Sequence, residues 1–349
     1  FSAVSDHSLS LKVMKVLFIA LLLLVLSPIA SAHHSRAEYV GGIEIEGKLL
    51  NILWRNPHPG FTIEVEENGQ IKTWTIEGWS SLNGFERAGI TRDRFELGDT
   101  LKVFGRISER RGTRILATHV LLADGAEAVL RREAEPYWAE SGHLGGRERW
   151  EAETQEAIVN AAEEDRGIFR VWSYPSPNYQ TRVSWSLTES AQAARAEWDL
   201  IDNYAMRCEQ MGMPATMTTT NPFEFIDEGE TIRIRGYEFD VVRTVHLTDS
   251  LDPATQPPSI QGFSVGHWED ENTLVIRTSR INFPYLGTSG IPLSEDAEVV
   301  ERYTLSEDQT RLDFHFTITD PEFFTEPATY EYYWLALGEE FGQYDCDVH

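Results

Sequence analysis

The sequence predicts a mainly β protein: a small barrel of the OB type, then a helical connector, then a larger antiparallel β-barrel or sandwich. Between residues 36 and 124, short strand-like stretches carry one helical insert after the third, as in OB barrels. Residues 126–168 are rich in Ala, Glu and Arg, which favours an exposed helix. From residue 223 onward, strand-like stretches alternate with polar turns, which is typical of an antiparallel sheet.

The chain has 349 residues, and this length favours two domains. Changes in composition place the boundaries. We expect an upstream extension and leader at 1–32, the OB-like domain at 33–125, the connector at 126–168 and the larger β-domain at 169–349.

The beginning of the chain has the pattern of a signal peptide. Met14-Lys15 precedes an uninterrupted apolar run at 16–26, and Ala30-Ser31-Ala32 supplies the small residues of a cleavage site. The run is shorter than the roughly 20 residues a spanning helix needs. We therefore expect cleavage before His33, a periplasmic or secreted protein, and no stable membrane insertion afterwards. The alternative is a retained membrane anchor.

The charge balance narrows the range of partners. Asp and Glu number 56 against 30 Lys and Arg, a formal net charge of −26. Nucleic-acid binding depends on cationic side chains that neutralise phosphates, and no basic face is visible in the sequence. We expect a small-molecule or metal ligand and no nucleic acid.

The OB-like part divides at turn-forming residues. Asn56-Pro57-His58-Pro59-Gly60 interrupts the first β-rich stretch. The predicted elements are Ile43–Val65 with that interruption, Lys72–Glu77, a helical or looped piece Ser80–Ala88, Leu101–Ile107, and Arg114–Leu122.

The larger domain begins with a predicted helix, Leu187–Trp198, with Thr188 as a candidate N-cap. Alternation places Leu312, Phe314, Phe316 and Ile318 in the core, and His315 opposite them. The predicted strands are Phe223–Ile226, Thr231–Arg235, Tyr237–Leu247, Phe263–Trp268, Leu274–Thr278, Glu298–Leu305, Arg311–Thr319 and Thr329–Leu337.

Two cysteines, Cys208 and Cys346, are the full complement of the chain. An even number of cysteines in an exported protein predicts a disulfide, which would fix the end of the chain. The alternative is a pair of free thiols.

A new amino terminus at His33 is a candidate metal site. Its α-amine and imidazole can chelate one ion, and His34 or His58 can supply a third nitrogen. Such a planar set of nitrogen donors suits Cu(II), so copper is the candidate cofactor. The alternative is a solvated tail with His58 as an ordinary turn residue.

Arg243 lies on the predicted apolar face of its strand. A buried guanidinium needs a partner. One interpretation is a carboxylate or phosphate ligand in a cavity. The other is an internal ion pair, for example with Glu301. The opposite face carries Glu238, Asp240, Thr244 and His246, either a ligand-binding or acid–base cluster or simply a solvated surface.

Two stretches resemble families of exported bacterial proteins of unknown function. Residues 33–124 resemble a family recognised by His33-His34-Ser35, Trp54-x-Asn56-Pro57-His58 and Leu97-Gly98-Asp99. Residues 170–346 resemble a second, widespread β-rich family recognised by Arg207-Cys208-x-x-x-Gly212-x-Pro214, Val242-Arg243-Thr244-Val245-His246, Ser264-Val265-Gly266-x-Trp268-Glu269, Thr273-Leu274-Val275 and Tyr344-x-Cys346. Neither resemblance implies an activity.

These patterns together predict an exported small-ligand-binding protein that also binds copper at its mature amino terminus. One alternative is a copper- or carboxylate-dependent secreted enzyme, and another is a structural or partner-binding module. The sequence lacks a phosphate-binding Gly-rich loop, His-Glu-x-x-His and Cys-x-x-Cys, which disfavours the enzyme classes that use them.

Overall fold

The computed structural model describes residues 39–109, 111–138, 142–175, 182–198, 204–248 and 250–346. Residues 39–349 form one compact unit. Within the described ranges, the first sheet consists of β1 (Tyr39–Leu53), β2 (Gly60–Glu67), β3 (Gln70–Gly78), β4 (Thr100–Ser108), β5 (Arg114–Leu121), β6 (Glu127–Val129) and β7 (His143–Gly145).

The first five strands close into the predicted OB-like barrel. Their order is β3-β2-β1-β4-β5, and a parallel pairing of β3 with β5 closes the barrel. Helix α1 (Leu82–Arg87) follows β3, and the Ser81 hydroxyl caps its N-terminus by accepting from Gly84 N. The long β1 pairs with β4 along its first part and with β2 along its last part. A core that includes Trp74, Phe85 and Phe95 fills the barrel.

The predicted helical connector is correct for one stretch and wrong for another. Helix α2 covers Arg147–Ala162, but β6 and β7 extend the barrel sheet where a helix was expected. The reason is Glu127, whose fully buried carboxylate accepts the backbone N–H groups of Tyr137 and Trp138 at 2.6 and 2.9 Å. These hydrogen bonds satisfy a buried charge and hold the segment in a loop.

The second sheet has ten strands in the part of the chain that the structure describes. Its order is β8-β10-β11-β12-β13-β14-β15-β16-β17-β9. The strands are β8 (Val171–Trp172), β9 (Arg182–Ser184), β10 (Phe223–Asp227), β11 (Thr231–Gly236), β12 (Val241–His246), β13 (Phe263–Trp268), β14 (Thr273–Ser279), β15 (Glu298–Leu305), β16 (Arg311–Thr319) and β17 (Ala328–Leu335).

This sheet confirms the predicted β-rich second half. It curls far enough for Ser173, after β8, to pair with Leu335 at the end of β17. The neighbours are antiparallel except for β12 and β13, which are parallel because the Pro-rich loop between them carries the chain back to the other end of the sheet. The concave side is filled by side chains such as Trp172, Tyr303 and Trp334.

Local patterns in this domain behave as predicted. The side chains of Leu312, Phe314, Phe316 and Ile318 are buried, and that of His315 is partly exposed. Helix α3 (Glu189–Glu197) begins after Thr188, whose hydroxyl accepts from Ala191 N at 3.3 Å. No helix among the described residues is long and apolar enough to cross a bilayer.

Candidate functional site

A cavity of about 150 Å³ lies on the OB-like barrel, and we call it the His58 pocket. It is formed by the end of β1, the loop before β2, and parts of β2, β3 and β5. Its polar lining residues are Asn51, His58, Thr62, Thr75, Glu77 and Arg114. This face, around strands β2 and β3 and the loop that joins β1 to β2, is where OB barrels bind ligands.

The sheet register brings three ionisable side chains together in the pocket. Glu77 lies opposite Gly60 in the β2–β3 pairing, and Gly60 follows His58 by two residues. Arg114 lies opposite Thr75 in the parallel β3–β5 pairing. Because β3 carries both Thr75 and Glu77 on one face, the carboxylate of Glu77 and the guanidinium of Arg114 meet.

Glu77 is held as a carboxylate. Its Oε2 accepts from Tyr39 Oη and from Arg114 Nη2, each at 3.0 Å. Burial acts to raise the pKa of Glu77, but nearby His58 and Arg114, together with the Tyr39 hydroxyl, outweigh it and lower that pKa below its usual value. The pocket therefore contains a fixed negative charge, and its Oε2 accepts both hydrogen bonds.

The ring of His58 is oriented by a backbone carbonyl. Its Nδ1 lies 3.2 Å from Ser80 O, just before α1. A carbonyl oxygen can only accept a hydrogen bond, so this contact requires the proton on Nδ1. The neutral ring then has its lone pair on Nε2, the arrangement that metal-binding histidines adopt when their other nitrogen is hydrogen-bonded.

Not every N–H group of Arg114 is hydrogen-bonded to the protein. One Nη donates to Glu77, while no acceptor among the described residues hydrogen-bonds its buried Nε. Burial acts to lower the pKa of Arg114, but Tyr39 and Glu77 outweigh it and raise that pKa above its usual value. The guanidinium is therefore a permanent cation at the pocket wall.

A larger cavity of about 480 Å³ lies beside α2, and most of its charged lining residues have partners in the protein. The buried Arg170 donates to the carbonyls of Ala161 and Glu164 at the end of that helix, at 3.1 and 2.6 Å. Such a contact caps a helix C-terminus. Glu153 and Glu164 pair with neighbouring arginines, while the buried Nε of Arg170, like that of Arg114, has no hydrogen-bond partner among the described residues.

The structure places Arg243 in an internal ion pair. Its Nη1 donates to Glu301 Oε1 at 2.9 Å and its Nη2 to Glu301 Oε2, while Nε donates to Ser264 Oγ at 2.9 Å. Nη2 also donates to Thr278 Oγ1 at 2.7 Å, and Tyr303 Oη donates to Glu301 at 2.7 Å. This network occupies the guanidinium with protein partners inside a filled core.

The expected cluster of Glu238, Asp240 and His246 on one strand face is wrong in its geometry. Strand β12 begins at Val241, and Glu238–Asp240 form a 3₁₀ turn in which Phe239 and Asp240 have φ values of 59° and 49°. The left-handed backbone ends the period-two alternation before the strand starts. His246 remains on β12, where its ring stacks on Phe263 at 4.9 Å.

Glu238 itself is chemically unusual. It accepts from Asn221 Nδ2 at 2.8 Å, and burial raises its pKa to about 7 despite that hydrogen bond and one from Thr219. The phenol oxygen of Tyr204 is buried without a hydrogen bond among the described residues. The charge of Glu238 contributes to raising the pKa of Tyr204 above its usual value, after burial.

The predicted disulfide is confirmed, since Cys208 and Cys346 are bonded. His33 and His34 lie outside the described residues, so the predicted convergence with His58 stays a prediction. Within the described part of the chain, no group of three or more His, Cys, Asp or Glu side chains is placed to hold a metal ion.

Sequence reasoning found His58 but missed Tyr39, Glu77 and Arg114. A signal was present for Glu77, which alternates with the buried Ile76 and Trp74 and therefore points away from the barrel core. Arg114 could not be assigned to the pocket, because its position depends on the parallel closure of β3 on β5.

Comparison with protein families gives a match to a family of unknown function, DUF6152, over residues 21–115. The matched segment is less than half of the chain, and it contains Tyr39 and every residue named above as lining the His58 pocket. The comparison with curated proteins gives no match. The motif-based resemblances of residues 33–124 and 170–346 stay predictions.

Proposed function

We propose that this is an exported small-ligand-binding protein and that its site is the His58 pocket. The observation that supports it is the convergence of His58, Glu77 and Arg114 in one cavity on the face where OB barrels bind ligands. Its volume of about 150 Å³ admits only a small ligand. Export is supported by the disulfide, which forms in oxidising compartments.

The donors and acceptors favour a small carboxylate as the ligand. Oε2 of Glu77 is already occupied by Tyr39 and Arg114, and the buried Nε of Arg114 is a donor without a hydrogen-bond partner among the described residues. A guanidinium recognises a carboxylate through paired N–H groups. The pocket thus suits a compact anion with a few heavy atoms.

The proposal is tested by thermal shift with acetate, oxalate and phosphate, on the parent and on Arg114→Met. We expect one of the carboxylates to stabilise the parent and to lose this effect in Arg114→Met. The control is Arg94→Met, because Arg94 forms an exposed pair with Asp124 on the same domain. Equal stabilisation of all three proteins, or of none, would exclude an anion site at Arg114.

A second candidate, copper binding, is supported by the proton on His58 Nδ1. The contact with Ser80 O leaves Nε2 as the metal-binding atom. Tyr39, six residues after His33, contacts Glu77 in the pocket, and six extended residues span up to about 20 Å. An amino terminus at His33 is therefore within chain reach of His58.

Calorimetric titration with Cu(II) tests this candidate on protein that begins at His33. The matched control carries one Ala before His33, and His58→Gln removes the third nitrogen. We expect both changes to weaken binding strongly. Equal affinities in all three proteins would rule out the proposed nitrogen set.

Two further measurements test the rest of the proposal. Mass spectrometry of native protein tests the cleavage before His33. A bound ligand that is chemically unchanged after long incubation indicates a binding protein and not an enzyme.

A further inference from the structure

The loop that carries His58 is attached to the larger domain through Asn56. The Asn56 side chain is fully buried although it lies in a turn. Its backbone N–H donates to Asp345 O at 2.8 Å, and it pairs with Cys346 in a short parallel bridge. Asp345 and Cys346 belong to the end of the chain, which the disulfide joins to Cys208.

The Asn56 side chain joins three parts of the molecule. Its Oδ1 accepts from Leu82 N at 3.1 Å, in the first turn of α1, and its Nδ2 donates to Tyr237 Oη at 3.4 Å in the larger domain. An amide is well suited to this position because it provides one acceptor and two donors. The same side chain therefore holds the β1–β2 loop to α1 and to the larger domain.

These contacts surround the hydrogen bond that orients His58. His58 follows Asn56 by two residues on one side of this bond, and Ser80 precedes Leu82 by two residues on the other. Because Asn56 Oδ1 holds Leu82 N, it also fixes the distance between the His58 ring and Ser80 O. A small movement of either segment would break a contact that is already 3.2 Å long.

We propose that Asn56 is a positioning residue through which the larger domain sets the orientation and tautomer of His58. This inference rests on the proposed function for its role in binding, but its physical content can be measured without a ligand. It implies that the site in the barrel responds to the state of the chain's distant end, including the Cys208–Cys346 disulfide.

The test measures the His58 tautomer by long-range ¹H–¹⁵N NMR on protein labelled at histidine, at a pH where the ring is neutral. The His58 signals are assigned by their loss in His58→Gln. In the parent we expect the Nδ1-protonated form. In Asn56→Ala, and to a smaller extent in Cys208→Ser/Cys346→Ser, we expect a mixture with the Nε2-protonated form.

Tyr237→Phe removes the weakest of the three contacts and decides the question if Asn56→Ala does not fold. Its control is Tyr204→Phe, which also removes a buried phenol oxygen from the larger domain but does not touch Asn56. We expect a change of tautomer in the first variant and none in the second. Near-ultraviolet circular dichroism establishes that each variant is folded.

Cu(II) titration supplies the functional readout, with an expected loss of about 10- to 100-fold in affinity for Asn56→Ala, as for other groups that orient a metal ligand. Parent-like His58 signals in folded Asn56→Ala, or in Tyr237→Phe when Asn56→Ala is unfolded, would overturn the inference. If Cu(II) fails to bind the parent while the tautomer still shifts, copper binding is refuted and the role of Asn56 stands.

Discussion

Replacing Glu238 with Gln should stabilise the protein at neutral and alkaline pH but not at acid pH. Glu238 is a mostly buried acid whose pKa burial raises to about 7, whereas a glutamate in an unfolded chain titrates near 4.3. The folded state therefore keeps a proton between these two values that the unfolded state loses. Stability is full below pH 4.3, falls as the pH rises to about 7, and stays reduced above it.

The gap of about 2.7 pKa units, at about 1.4 kcal/mol each, gives a penalty of roughly 4 kcal/mol at pH 8. Part of the Glu238 side chain reaches the surface, so this is an upper value. A glutamine has no charge to bury, and its amide oxygen can still accept from Asn221 Nδ2. Glu238→Gln should therefore gain up to about 4 kcal/mol at pH 8 and almost nothing at pH 4.

Urea unfolding of the parent and of Glu238→Gln, with the disulfide intact, measures this difference at pH 4, 6 and 8. The control is Glu298→Gln, which removes the carboxylate of an exposed pair with Arg277 and should change stability by less than about 1 kcal/mol. A gain that is the same at all three pH values would refute the reasoning, because it could not come from the ionisation of Glu238.

Three further outcomes are expected in unfolding experiments. Arg243→Leu should cost about 3–5 kcal/mol by leaving Glu301 buried without its cation, and Arg243→Leu/Glu301→Leu should recover most of that loss. Glu77→Gln should cost about 1.5–3 kcal/mol at pH 7, and the loss should shrink as the pH falls below 4.3, because the lowered pKa of Glu77 stabilises only the ionised form. Cys208→Ser/Cys346→Ser should cost at most about 5 kcal/mol, from a chain separation of 138 residues. Parent-like unfolding midpoints at pH 7 would contradict each of these.

The elements of the larger domain could be predicted because their signals are local. Strands β10 to β17 all correspond to predicted stretches, since alternation and polar turns can be recognised within a few residues. The connector was harder, because the buried carboxylate of Glu127 in an acidic, Ala-rich segment resembles an exposed helix in sequence. The turn before β12 could not be recognised in the sequence, because Phe239 and Asp240 adopt left-handed backbone angles although neither is a glycine.

The residues of the His58 pocket were harder still to predict, because their positions depend on contacts between parts of the chain that are distant in sequence. His58 stood out because a histidine in a turn is chemically conspicuous, whereas Arg114 is one of many arginines until β5 is placed beside β3. For Asn56, the local sequence indicated the wrong environment. Its neighbours are prolines and a glycine, so the segment indicates an exposed turn, yet contacts with Asp345 and Tyr237 bury it completely.

Besides Asn56, an ion pair connects the barrel with the second half of the chain. It supports the view that the geometry of the His58 pocket does not depend on the barrel alone. Arg87, the last residue of α1, forms an ion pair with Glu339 of the larger domain, and both side chains are largely buried. Its guanidinium also lies 3.8 Å from the centre of the Trp150 ring on α2. The larger domain thus contacts α1 at its end through Glu339 and, through Asn56, at its beginning. Because Ser80 lies two residues before this helix begins, the hydrogen-bond acceptor of His58 belongs to a segment that is held both by the barrel and by the second half of the chain.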